Sequence, residues 1–160
     1  MSTHSITLFK TAEMDGTPEQ VLCLWRRFDG YPSVHLSELQ TALTTASPPR
    51  KFVNLLELLA DLLPGLVAQC ERTTLGQYVP AHDSNSNLCP CYIYELWLEY
   101  EPKWNPRSAV SNGIPYVAVH LPKTFGENVP GKCFYRGPLC EADPEAIDKE
   151  ITAFQEAEVG

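Results

Sequence analysis

The sequence predicts an α+β fold, a single domain over residues 1–160. An antiparallel sheet of about four to six strands packs against three or four helices. Three observations predict it. Period-two alternation marks "SITLF", "QVLCLWRRF", "CYIYELWLEY" and "YVAVHL", whereas "SVHLSELQTALTTA" spaces its leucines as a helix does. At 160 residues, with 44% hydrophobic and 20% charged content, the chain can bury one core and is not disordered wholesale. Fourteen prolines argue for long connections rather than a helix bundle.

"SITLF" is the first strand. In the second, Val21, Cys23 and Trp25 share one face while Leu22, Leu24 and Arg26 share the other. "MDGTPE" between them is a turn by composition, so residues 5–27 read as an antiparallel hairpin. After Pro32 the period changes, with Leu36, Leu39 and Leu43 on one helical face and Ser33 placed to cap. "SPPR" stops that helix. A second runs from about Phe52 to Leu63, with Glu57 and Asp61 on its exposed side. Pro64-Gly65 breaks or kinks it, and "LVAQCER" continues as a further helical piece.

"GQYVP" reads as a short strand and "AHDSNSN" as a polar loop. "CYIYELWLEY" is the clearest strand, with Tyr92, Tyr94, Leu96, Leu98 and Tyr100 opposite Ile93, Glu95, Trp97 and Glu99. Asn112-Gly113 supplies the turn before "YVAVHL", and "KCFYR" makes one short strand in a Gly- and Pro-rich stretch. The last helix has the sharpest boundary: Asp143 caps, Pro144 takes the first position, and Ile147, Ile151 and Phe154 form its apolar stripe. No internal repeat or interdomain linker is visible.

The net charge of −8 is concentrated. Residues 141–160 hold seven acids (Glu141, Asp143, Glu145, Asp148, Glu150, Glu156, Glu158) against Lys149, and the remaining 13 acids nearly balance 11 bases. That balance disfavours binding to a nucleic-acid backbone or an anionic membrane. "MSTHSITLFK" lacks the basic-then-apolar order of a secretion signal, and "LLELLADLLPGLVA" is too short and charged to span a bilayer. A cytoplasmic location with reduced cysteines is the expectation.

"RRFDGYP", residues 26–32, is the most distinctive stretch. Asp29-Gly30 makes a turn, since glycine tolerates positive φ and aspartate bonds the backbone ahead of it. Pro32 holds Tyr31 extended, so the segment is a rigid exit from the second strand into the first helix. A functional reading stands beside this one. A guanidinium from Arg26 or Arg27 near a helix N-terminus can hold a carboxylate or phosphate, Tyr31 can stack on a ring, and His35 can be oriented by Asp29 as a base. Arg26 can equally pair with Asp29 across the turn.

"STHSITLF" followed by "RRFDGYP" resembles a set of small uncharacterised proteins of bacteria, phages and prophages. Those begin Ser-Thr-Arg-Ser-Thr-Ile and carry Tyr-Arg-His-x-Asp-Gly-Tyr-Pro. The likeness extends to "LVAQC", "CYIYELWLEY" and loosely "FYRGPLCEADPEAI", with residue identity concentrated at "DGYP". Arg27 stands where that pattern has histidine, and Val34 and Leu36 replace small residues, so proton transfer by such a histidine is closed to this chain. The resemblance implies an α+β fold and an accessory role on a mobile element, with no established reaction.

Cys89-Pro-Cys91, with Cys133, Cys140 and His82, invites a zinc reading, but a single residue between paired cysteines is short for zinc, and no metal or cofactor is expected. Cys23 and Cys70 sit on apolar patterns as small core residues. The four histidines, His4, His35, His82 and His120, show no ligand spacing. No nucleophile elbow, phosphate-cradling loop or dinucleotide fingerprint occurs. Glu95 and Glu99 lie about 13 Å apart by strand rise, a solvated edge rather than a joint carboxylate site. Tyr94 or Trp97 offers an aromatic face to a partner or fills the core.

The leading expectation is an accessory protein of phage or mobile-element type that binds a host protein without catalysis. The alternative is a binder of, or enzyme on, a nucleotide-like anion at the hinge of residues 26–35. Residues expected to contact a ligand or partner are Arg26, Arg27, Asp29, Gly30, Tyr31, Pro32, His35, Tyr94 and Trp97.

Overall fold

A computed structural model of the protein describes residues 4–11, 20–26, 29–43, 52, 54–69, 78–80, 90–100, 113–124 and 127–159. The elements run β1 (Ser5–Lys10), β2 (Gln20–Arg26), α1 (Pro32–Leu43), α2 (Leu55–Gln69), β3 (Tyr78–Pro80), β4 (Tyr92–Tyr100), β5 (Gly113–Pro122) and β6 (Pro130–Pro138). A short 3-10 turn, Leu139–Glu141, then leads into α3 (Pro144–Val159).

All six strands join one sheet in the order β3-β2-β1-β4-β5-β6. The β1–β2 hairpin pairs as expected, with Ser5 opposite Arg26 and Leu8 opposite Cys23. One pair departs from the antiparallel expectation, because β1 and β4 run parallel at the centre, Ser5 beside Tyr92 and Thr7 beside Tyr94. Both helices α1 and α2 intervene between the β1–β2 hairpin and β4. A chain returning after such a crossover can enter alongside its first strand in the same direction, which a tight turn forbids. The sheet is therefore mixed and mostly antiparallel. β6 is longer than "KCFYR" suggests: its flanking glycines and prolines weaken the strand pattern, but the ten residues of β5 give it a full edge to pair with.

The core lies between the sheet and the three helices. Phe9, Leu24, Tyr94, Leu96, Val117 and Val119 from the strands meet Leu36 and Leu39 of α1, Leu58 and Leu62 of α2, and Ile147 and Ile151 of α3. Alternation along β4 thus turns its tyrosine side toward the helices. A smaller cluster of Ile6, Leu8, Cys23 and Ile93 forms on the opposite face, with Trp25 packed against it.

Helix boundaries follow local chemistry except in two places. Asp143 caps α3 through Oδ1, accepting from the Ala146 amide at 3.2 Å, and Pro144 takes the first position. Asn54 caps α2 in the same way, accepting from the Glu57 amide at 2.9 Å. Ser33 does not cap α1. The helix starts one residue earlier at Pro32, so the Tyr31 carbonyl accepts from Val34 and His35, and the Ser33 amide donates to Asp148 Oδ2 of α3 at 2.8 Å. Nor does Pro64 break α2, which continues to Gln69. Pro64 and Ala60, whose carbonyl loses its helical partner, both face outward, where water can satisfy that oxygen. The outward side of α2 is apolar, with Leu56 71% exposed, while Glu57 and Asp61 are half-buried. No helix among the described residues is long and apolar enough to cross a membrane.

Candidate functional site

The hinge between β2 and α1 is built inward. Asp29 adopts a left-handed conformation at φ 53°, which lets the chain reverse direction. Gly30 then passes against β1 so closely that a Cβ there would lie 2.6 Å from Ser5 Cβ and 2.9 Å from Ser5 N. Its carbonyl accepts from the Tyr94 hydroxyl at 2.6 Å, tying the turn to the central strand β4. Pro32 is buried at the helix start, Tyr31 is half-buried and Asp29 is exposed. Asp29, Gly30 and Pro32 thus have backbone or packing reasons to be what they are.

Arg26 lies beneath α1, with only 2% of its surface exposed. Its guanidinium pairs in fork fashion with Glu38, one turn beyond His35: Nη1 to Oε2, and Nη2 to Oε1 at 3.1 Å. An internal carboxylate therefore sits where an anionic ligand of Arg26 would bind. His35 is also buried: Nε2 is 2.7 Å from Thr7 Oγ1, and its ring meets Tyr94 edge-on with centroids 4.5 Å apart. Burial first, then the Arg26 charge, lowers the imidazole pKa from 6.5 to about 3. A ring so disposed stays neutral at physiological pH. Ser5 Oγ, crowded by Gly30, is buried with no hydrogen-bond partner.

Of the expected contact residues, the structure brings Arg26, Gly30, Pro32, His35 and Tyr94 together, but as interior. Tyr94 is wholly buried, so it offers no surface to a partner. Trp97 is 8% exposed on the opposite sheet face, its Nε1 donating to Glu99 Oε1 at 2.8 Å and Arg136 lying 4.6 Å over its ring. Arg27 lies outside the described residues, as do Cys89, His82 and Cys70. Among the described residues no group of three or more His, Cys, Asp or Glu side chains could hold a metal ion.

A second polar cluster sits on the face opposite the helices and was not legible in the sequence. Glu95 on β4 takes an ion pair from Lys10 on β1 and lies 2.6 Å, through Oε1, from His120 Nε2 on β5. The His120 contact is the largest cause of a carboxyl pKa lowered from 4.5 to about 2; burial opposes it, and Lys10 reinforces it. Glu95 is no solvated edge, since its side chain is 13% exposed. His120 is 7% exposed, and neither of its ring nitrogens has a hydrogen-bond partner. The available signal was parity: Glu95 alternates in step with Ile93 and Trp97, both buried. Its partners come from strands distant in sequence and needed the register.

The chain matches no family model, and neither the curated proteins nor the solved structures give a match.

Proposed function

We propose that this chain is a small cytoplasmic accessory protein, of the kind carried by phages and mobile elements, that binds a basic surface of a host protein without catalysis. The contact surface is the outer side of α3 and its approach. One observation carries this reading: Glu141, Asp143, Glu145, Glu150, Glu156 and Glu158 are all exposed there, with Lys149 their single exposed base. Asp148, the remaining acid, turns inward to the Ser33 amide and belongs to the fold. Carboxylates left on one outward surface repel each other and favour a cationic partner, and such attraction accelerates encounter.

The alternative, an anion site at residues 26–35, has less support because Glu38 already supplies the carboxylate that Arg26 needs. The test is capture from a host lysate by wild-type protein and by a Glu145→Lys, Glu150→Lys, Glu156→Lys variant that leaves Asp148 intact. The expected result is a basic protein retained by the wild type, released by moderate salt and lost by the variant. No capture, or capture unchanged by the three reversals, counts against the reading. A nucleotide panel that raises Tm would favour the alternative instead.

A further inference from the structure

Cys133 is a free, exposed cysteine on β6, and the register places it directly opposite His120 on β5. Directly opposed residues of antiparallel strands project to the same face, with Cβ atoms about 5 Å apart. The pairing shifts on both sides of His120, and irregularities of that kind re-aim side chains at functional sites. The Cys133 thiol donates to the Tyr135 carbonyl at 3.1 Å, a contact it must give up by rotation about χ1 to reach the histidine.

His120 is prepared to receive it. The Glu95 carboxylate lies 2.6 Å from Nε2, a contact that favours the ring proton on that nitrogen and the lone pair on Nδ1. Both ring nitrogens are buried without a hydrogen-bond partner, a costly state that a donor arriving at Nδ1 partly relieves. Lys10 holds Glu95 from the other side and keeps it ionised. Four strands, β1, β4, β5 and β6, thus set lysine, glutamate, histidine and cysteine in a row across one face of the sheet.

We propose that Cys133 is a reactive thiol activated by the His120–Glu95 pair, and that it forms a mixed disulfide with a small anionic disulfide. The proton of Cys133 passes to His120 Nδ1. The sulfur bonds to one sulfur of the disulfide, whose S–S bond breaks, and the departing thiolate takes the proton from His120. Cys133 is oxidised to the mixed disulfide and half of the small disulfide is reduced to thiol. Exposed Arg136, which lies over Trp97 on the same sheet face as His120, favours an anionic substrate.

Cys140, also exposed and free, is a control in the same molecule. Cleavage after Lys132 and Arg136 puts Cys133 and Cys140 on separate tryptic peptides. Native protein is incubated with glutathione disulfide at neutral pH, quenched with acid and mapped by mass spectrometry over time. Cys133 is expected to be modified about tenfold faster than Cys140. His120→Asn brings the two rates together, and Glu95→Gln narrows the ratio. Equal rates in the wild type, or a ratio unchanged in both variants, overturns the proposal. If His120→Asn does not fold, the wild-type ratio and Glu95→Gln decide.

Discussion

Two polar clusters lie on opposite faces of the same sheet, and they are finished differently. Beneath α1, Arg26 faces Glu38, His35 faces Thr7 and the Tyr94 hydroxyl faces Gly30, while Ser5 Oγ is buried without a partner. Across the sheet, Lys10 and Glu95 are paired, but both ring nitrogens of His120 are buried without a hydrogen-bond partner. Low dielectric strengthens a paired charge and penalises an unpartnered polar group, so the Arg26–Glu38 pair secures the hinge, whereas the His120 ring carries a penalty that an added donor would relieve. The comparison reverses the order of interest set by the sequence, where "RRFDGYP" stands out and Glu95 and His120 do not.

The largest effect that can break the comparison is at Glu38. Glu38→Ala takes from the buried Arg26 guanidinium its fork-fashion carboxylate, and is expected to cost about 3 kcal/mol, measured by urea denaturation. A loss below about 0.5 kcal/mol would mean that the hinge tolerates an empty carboxylate position, as a ligand site does. Gly30→Ala comes next, at about 1–3 kcal/mol, because its Cβ meets both the side chain and the backbone of Ser5. Stability retained in Gly30→Ala would show that the hinge is loose.

Acid titration sharpens the contrast further. The folded state holds His35 near 3 and the unfolded chain near 6.5, so between those values the unfolded state binds more protons. Stability is therefore full above about pH 6.5 and falls as pH drops toward 3. Glu95 makes a second contribution, fully present above about pH 4.5 and lost as pH falls toward about 2. His35→Gln is expected to flatten Tm between pH 6.5 and 5 while leaving the steeper fall below 4.5, read by thermal melts at closely spaced pH. An unchanged profile would remove His35 as the cause. The smallest effect is on the acidic face: each of Glu145→Lys, Glu150→Lys and Glu156→Lys is expected to change stability by less than about 0.5 kcal/mol, since all three are exposed. A large loss in any of them would make α3 part of the scaffold rather than a contact surface.

Much of the fold is written locally. Strand alternation, the Asp143-Pro144 start of α3 and the turn at Asp29-Gly30 depend on side-chain direction and backbone preference within a few residues, and each is read without knowing what lies across the chain. Pro64 shows the limit of local reading: its penalty is real, but it falls on a solvated side of a helix whose other side is held by Leu58 and Leu62. The candidate site shows it more sharply. "DGYP" is conspicuous because tight packing restricts residue choice, and such restriction looks in sequence like the demands of a ligand.

By itself the sequence determined the α+β class, the periodicity of each principal element, the capped acidic helix and the uneven distribution of charge. The tertiary structure alone decided that β1 lies parallel to β4, that Arg26 finds Glu38, and that Lys10, Glu95, His120 and Cys133 come into one row. The reason is range: alternation fixes which way a side chain points, but only strand order and register fix what it meets, and those follow from burying the whole core at once.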